Sequence, residues 1–483
     1  MTGLPFGPGA LAVMGAYILS LLLIGAYAYS RQKEESLSDF YLAGRDMGLV
    51  VLFLTLYTTQ YSGNTLVMFA GTAAEQGFAW LKSVHFMIAI IIGVMFLAPR
   101  LQRLSRRFNF VTPGDFLEHR YHHRGLTMLI TLVMVFAAGN FAVAQLRAMG
   151  EFFAALSGNQ LGMAYGVIGL ALVMVIYESL GGMRSVAWTD AFQGVILIVV
   201  FAVLLVVLRQ QFGPFGEATA ILAESAPHLV QRPDADGLRN WLSWIVLFGG
   251  GAAVYPMALQ RIYAARSADS LRRSLALMTV MPYLCTLVVF IAGIYAAAHL
   301  HPLPNRPDQV LPALCLQIVD ASPIGYALVL ALFAAVLAAL MSTADSALLA
   351  MSSMLTRDVY SQYVARDRSQ DHYARVGKIV SWMLMAVLVA IALADLPGLK
   401  AIMVIKLAVL VQAAPAFFLG VCSRARSQAV LAGLIAGLVT AVTLTLTDHQ
   451  LVAGIHAGTI GLALNVLTVA TISMIGSRWP RPQ

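Results

Sequence analysis

Leu54-Thr55-Leu56-Tyr57-Thr58-Thr59-Gln60-Tyr61-Ser62-Gly63-Asn64-Thr65-Leu66-Val67-Met68-Phe69-Ala70 is apolar enough and long enough to cross a bilayer, yet Thr58 to Thr65 places polar or small residues at mid-depth. In hydrocarbon each unmet backbone N–H or C=O costs several kcal/mol, so a break in the helix is tolerated only where protein or a wet cavity surrounds it. Such a break frees carbonyls for a cation and N–H groups for an anion. A discontinuous helix of this kind points to a transporter's central site. The plainer alternative is a continuous helix that packs against its neighbours through small residues.

The rest of the chain supports a membrane setting. With 59% hydrophobic and 11% charged residues over 483 positions, it is no ordinary water-soluble globule. Met1 to Ala10 carries no basic n-region, so the first span is expected to remain as a membrane helix. Cys285, Cys315 and Cys422 have no short repeat spacing and predict neither a metal knot nor a disulfide framework.

Apolar runs of about 20 residues predict thirteen spans, near 8–29, 49–72, 79–98, 125–155, 161–180, 187–209, 238–262, 273–298, 322–350, 376–394, 400–421, 428–447 and 453–475. Most of the 31 Lys and Arg residues follow odd-numbered spans, as Arg100, Arg103, Arg106 and Arg107 do after the third and Arg357, Arg366 and Arg368 after the ninth. The positive-inside rule then puts the N-terminus outside and the C-terminus in the cytoplasm. That asymmetry also accounts for the net charge of +8 without a nucleic-acid partner. Gln210 to Gly237 and His299 to Ala321 read as surface caps on the outer side, and the chain (1–483) reads as one membrane domain.

A weak internal symmetry follows. Helices two to six open on the span broken at Thr58 to Thr65, and helices seven to eleven open on a span broken by Gly249-Gly250-Gly251 and Tyr255-Pro256. The expected architecture is an all-α membrane protein with a 5+5 inverted repeat. An extra helix at 8–29 precedes a first repeat at 49–209; an inverted second repeat at 238–421 is followed by two helices at 428–475. The substrate site belongs where the two breaks meet.

Helix nine carries Ser342, Asp345 and Ser346 at i, i+3 and i+4 on one face, with Thr343 beside them. Hydroxyls and a carboxylate suit hard cations, and an acidic residue inside a span marks a functional site by default. Helices six and nine run in opposite directions, so Asp190 can share the level of Asp345. Asp358, beside Arg357, reads as an interfacial ion pair, and Arg147 with Glu151 as an intrahelical one.

Gly181-Gly182-Met183-Arg184-Ser185-Val186-Ala187-Trp188-Thr189-Asp190 with Gln193-Gly194 resembles the signature of the sodium:solute symporters, which include proline, pantothenate, sialic acid and sugar symporters. Gln260-Arg261, Met341-Ser342-Thr343-Ala344-Asp345-Ser346, Arg357-Asp358-Val359-Tyr360 and Tyr41-Leu42-Ala43-Gly44-Arg45 match as well. The resemblance covers nearly the whole chain and implies thirteen helices with the leucine-transporter-type inverted repeat. It implies a first sodium site built from the carbonyls of Thr58, Tyr61 and Ala339 and the hydroxyls of Ser342 and Thr343. It also implies a possible second sodium site at Ser342, Asp190, Asp345 and Ser346, where Asp345 departs from a hydroxyl. Substrate contacts are expected among Gln60, Asn64, His85, Asn140, Tyr255, Lys406 and Gln412. Gln60 replaces an acidic residue of the proline branch and argues against a proline-type site.

Lys406 is the most informative of these, because an ammonium inside a span costs a few kcal/mol. It either binds a substrate carboxylate or snorkels to the outer interface. The expected function is sodium-coupled symport of a small carboxylate or zwitterion, pantothenate-like or amino-acid-like, across a bacterial-type inner membrane and without enzymatic chemistry. Proton coupling on the same fold, and a transporter-like sensor of a solute, are the alternatives. The sequence says nothing of oligomeric state.

Overall fold

In the computed structural model the described residues are 8–31, 36–156, 162–321, 323–394, 399–423 and 425–477. The chain begins with α1 (Pro8–Ser30), α2 (Leu37–Leu42), α3 (Leu49–Gln60), α4 (Gly63–Gln76), α5 (Lys82–Phe108), α6 (Pro113–Tyr121), α7 (Arg124–Leu156) and α8 (Met163–Phe212). Next come α9 (Phe215–Ser225), α10 (Ala235–Gly251), α11 (Pro256–Ala264), α12 (Ala268–Met278), α13 (Leu287–His299) and α14 (Pro307–Ala321). The chain continues through α15 (Pro323–Met354), α16 (Gln370–Leu393), α17 (Leu399–Leu410), α18 (Ala414–Cys422), α19 (Ser427–Leu446) and α20 (Ala457–Ser477). Among the described residues the strands are confined to the pair Leu451–Val452 and Ile455–His456. Among the described residues ten helices are long and apolar enough to cross a membrane, or up to 11 if one strongly bent pair counts as a span.

The interruptions have local causes. The α3/α4 break falls at Tyr61-Ser62, where Tyr61 leaves the helical region (φ −104°, ψ 89°) and Ser62 is extended. The segment Ala235–Val254 meets α11 at an angle of 51°. Proline lacks the N–H and disfavours a helical residue before it, and Tyr255 accordingly sits at φ −54°, ψ 134° ahead of Pro256. α8 runs for 50 residues but is kinked at Gly182, which has φ 53° and ψ −136°. A Cβ there would lie 2.2 Å from the Phe40 carbonyl oxygen, so the site needs glycine on two counts.

α15 is the hub. It packs on α7, α8, α3, α4, α11 and α16, and α1 lies against α8 and α15. From Ala335 to Met354 its side chains are buried, Ser342, Thr343, Asp345 and Ser346 among them. The perimeter turns large apolar side chains outward, including Leu23, Val199, Ile379, Met383 and Val439, as a lipid-facing surface does. The two expected surface caps contain α9 and α14, and α14 packs on α4, α13 and α15.

Polar contacts cross-link α2 and α6 to their neighbouring elements. Asp39 pairs with Arg184 at 2.8 Å. Tyr41 Oη meets Ser352 Oγ at 2.9 Å, and Arg106 donates to the carbonyls of Arg45, Ala265 and Arg266. α6 starts with a capping box in which Thr112 and Asp115 satisfy each other's backbone N–H groups. Arg357 pairs with that Asp115 at 3.0 Å rather than with Asp358. Asp358 is buried and accepts from Thr112 at 2.5 Å and Thr131 at 3.1 Å. The expected interfacial pair is therefore replaced by two separate contacts, because a wide-turn helical segment from Leu355 to Val364 succeeds α15 there.

Candidate functional site

The α3/α4 break lies against α15 at Leu340. A Cβ on Gly63 would stand 2.4 Å from the Leu340 side chain, so glycine lets the broken chain reach this level of α15. From the other side Gly194 of α8 faces Leu54 and Thr58. Thr58 and Tyr61, on the broken helix, and Ala339, Ser342 and Thr343, on α15, thus come from two elements in contact. The end of a helix leaves carbonyls without intrahelical amides. The Thr343 hydroxyl donates to the Ala339 carbonyl at 2.9 Å, leaving its lone pairs as acceptors. Carbonyls and hydroxyls form a neutral, oxygen-only donor set, which suits a monovalent hard cation.

A second cluster adjoins it. Ser342 donates to Asp190 at 2.5 Å, and Thr55 donates to the other carboxylate oxygen. Arg261, fully buried, pairs with Asp190 at 2.9 Å, donates to Ser346 Oγ at 2.5 Å and to Thr55 Oγ1 at 2.9 Å. Asp345 accepts from Tyr177 of α8. The residues expected at a second sodium site are therefore brought together, but around a guanidinium. Behind them Gln193 donates to Tyr17 Oη at 2.7 Å, which ties α1 to this layer.

Around the other break, Tyr255 stacks on Phe141 of α7 with ring centroids 5.6 Å apart, and Lys406 Nζ of α17 stands 4.4 Å above that ring. Asn140 is buried next to Phe141 in the chain. Gln60, at the end of α3, donates to Met87 Sδ at 3.6 Å.

A family model described as "Sodium:solute symporter family" matches residues 40–437. The chain belongs to the sodium:solute symporter family. Members are transporters rather than enzymes, and sodium is the coupling ion. The symporter is 27% identical over 387 residues to the sodium/pantothenate symporter of Haemophilus influenzae, covering 78% of each chain. It is 24% identical over 467 residues to the sodium/proline symporter of Escherichia coli, covering 93% of this chain and 91% of the other. Its fold matches that of a Na+-coupled sialic acid symporter, solved substrate-bound and outward-open, with a TM-score of 0.81 at 20% identity over 97% and 98% of the two chains.

Two substrate candidates lie elsewhere in the symporter. His85 is exposed one turn from the start of α5 and accepts from Trp241 Nε1 at 3.1 Å. Gln412 is buried toward α20, donating to the carbonyls of Ala408 and Gly458 and accepting from Asn465. The Asn64 side chain lies outside the described residues. Arg147 donates to the Ala394 carbonyl at 3.4 Å, while Glu151 faces Arg306 at 3.7 Å, so the intrahelical pair is not formed. The sequence reading gave no role to Thr55, Phe141, Tyr177 or Glu178, and named Arg261 only within the Gln260-Arg261 match. An acidic residue inside a predicted span was the available signal for Glu178.

Proposed function

We propose that the symporter imports a small organic anion or zwitterion bearing a carboxylate, together with one sodium ion per cycle. Lys406 carries this reading. Its ammonium lies over a ring in the middle of α7, not at a helix end, and among the described residues no carboxylate pairs with it. A partly buried ammonium without a counter-charge invites an anionic ligand, while Phe141 and Tyr255 offer the apolar part a stacking surface. A snorkelling lysine would extend away from that ring toward the nearer interface.

In this reading sodium is held by Thr58, Tyr61, Ala339, Ser342 and Thr343. At the neighbouring cluster of Asp190, Asp345 and Ser346, Arg261 serves as a tethered cation, so a second sodium is not required. Thirteen spans follow when the broken pair α3/α4 is separated from α5 at Gly77, which has φ 58°, and α8 is divided at Gly182. Two sets of five, α3 to α8 and α10 to α18, then form the leucine-transporter-type inverted repeat, flanked by α1 and by α19 with α20. The N-terminus is outside, in a bacterial-type inner membrane.

Lys406→Met tests the substrate class, since it keeps length and apolar bulk without the charge. At saturating sodium the affinity for a carboxylate substrate falls by at least about tenfold, roughly 1.4 kcal/mol, with sodium binding in its absence retained. Affinity within about twofold of wild type removes the anchor and reopens neutral solutes.

A further inference from the structure

Glu178 is fully buried in α8, one turn before the Gly182 kink, and has no part in the sodium or substrate sites described above. Its Oε1 accepts from Ser381 Oγ of α16 at 2.8 Å, while its Oε2 is enclosed with no hydrogen-bond partner among the described residues. A buried, unpaired carboxylate is among the most costly groups a protein can hold, and it is relieved by a cation or by a proton. The charged and titratable groups facing it supply no cation. On α8 itself Tyr177 donates to Asp345, and Asp345 of α15 repels an ionised Glu178. Tyr41 of α2 is engaged with Ser352 and Thr356. Lys378 of α16 lies over the Phe40 ring at 5.5 Å. Arg184 is matched by Asp39, and Arg261 by Asp190.

A metal cation asks for several converging oxygens, and here the described donors are one carboxyl and one hydroxyl. A proton asks for a single oxygen. We propose that Glu178 is a proton-binding site of this transporter, holding one proton in the arrangement seen here and exchanging it with bulk water. The step forms or breaks one O–H bond and transfers no electrons. When the proton leaves, a negative charge appears beside Tyr177, which donates to Asp345 on the helix that carries the proposed sodium ligands Ser342 and Thr343, and that charge attracts sodium more strongly. Raising the pH therefore tightens sodium binding, and sodium in turn promotes release of the proton, since linkage is reciprocal.

Infrared spectroscopy of the purified full-length transporter reads the proton directly and does not depend on knowing the substrate. A protonated-carboxyl C=O band that moves on isotope labelling of glutamate, and is lost in Glu178→Gln, is the expected result at neutral pH. Ser381→Ala removes the hydrogen bond to Oε1 and shifts the band without abolishing it, which keeps the assignment testable if the Gln variant does not fold. The half-saturating sodium concentration falls several-fold as the band titrates away, and in Glu178→Gln this pH dependence is flattened. Absence of any glutamic-acid band in the wild type overturns the proposal, as does a band that survives in Glu178→Gln. Neither outcome bears on the assignment of Lys406.

Discussion

Ser342 and Thr343 are adjacent in sequence but engaged differently, Ser342 with Asp190 and Thr343 with its own helix at Ala339. Replacing both by Ala removes two hydroxyl oxygens from a neutral donor set and should raise the half-saturating sodium concentration by about tenfold or more, roughly 1.4 kcal/mol. Unchanged sodium dependence in an active double variant would exclude this site. Asp190→Asn separates a structural carboxylate from an ionic one. Because Arg261 is its buried partner, removing the charge leaves a guanidinium unpaired, at a cost of about 3–5 kcal/mol. The expected result is a lowered unfolding temperature in detergent, partly restored by Asp190→Asn with Arg261→Met. A variant as stable as wild type, with an altered sodium-to-substrate ratio from reversal potentials, would instead make Asp190 an ion ligand. Helical spacing placed Ser342, Asp345 and Ser346 on one face, and opposite helix directions placed Asp190 at their level, whereas spacing does not reveal which neighbours the side chains of His85 and Gln412 meet. The partners of Arg261 were hidden for a related reason: its position near the end of a predicted span does not show that the broken helix turns it onto Asp190 and Thr55.

At the scale of elements, the breaks after Gln60 and at Tyr255-Pro256 were legible because polar residues, glycine and proline interrupt apolar runs there. The division of α8 was legible too, as the sequence places two spans on either side of the Gly182 kink, but the absence of a loop between them was not. Gly182→Ala should destabilise the symporter. A Cβ at φ 53°, ψ −136° lies in a region open to glycine and costs about 1–3 kcal/mol, and the clash with the Phe40 carbonyl adds to it. Thermal unfolding followed by fluorescence checks this, and a wild-type midpoint would mean that the kink is not required. Gly63→Ala acts on function more than on stability: displacing Leu340 pushes the α3/α4 break away from α15, so half-saturating sodium should rise while the protein remains folded. Helices inside the loops, α9 and α14, escaped notice because short polar-flanked segments carry little periodicity.

For the whole molecule, the all-helical membrane class followed from composition and run length alone, but the orientation rests on charges of which some are interior. Arg261 is fully enclosed, and Arg45 and Arg184 are buried; these are ties within the bundle, not free loop charges. The proposed cytoplasmic placement of α6 therefore rests on the remaining bias, from Arg100 to Arg107 and from Arg366 to Arg375. A single cysteine introduced at Asn305, with Cys422→Ser in the background, should be labelled by an impermeant thiol reagent from outside intact cells. One introduced at Arg103 should not, and the reverse pattern would invert the topology. The central claim, that sodium drives uptake of a carboxylate-bearing solute, is tested most directly in proteoliposomes loaded with potassium and given an inward sodium gradient. A panel of labelled carboxylates, including pantothenate and amino acids, is offered beside their neutral amides. Sodium-dependent accumulation of a carboxylate above its external concentration, with its amide left out, is the predicted result; accumulation of the amide to the same level, or of the acid without sodium, would contradict it.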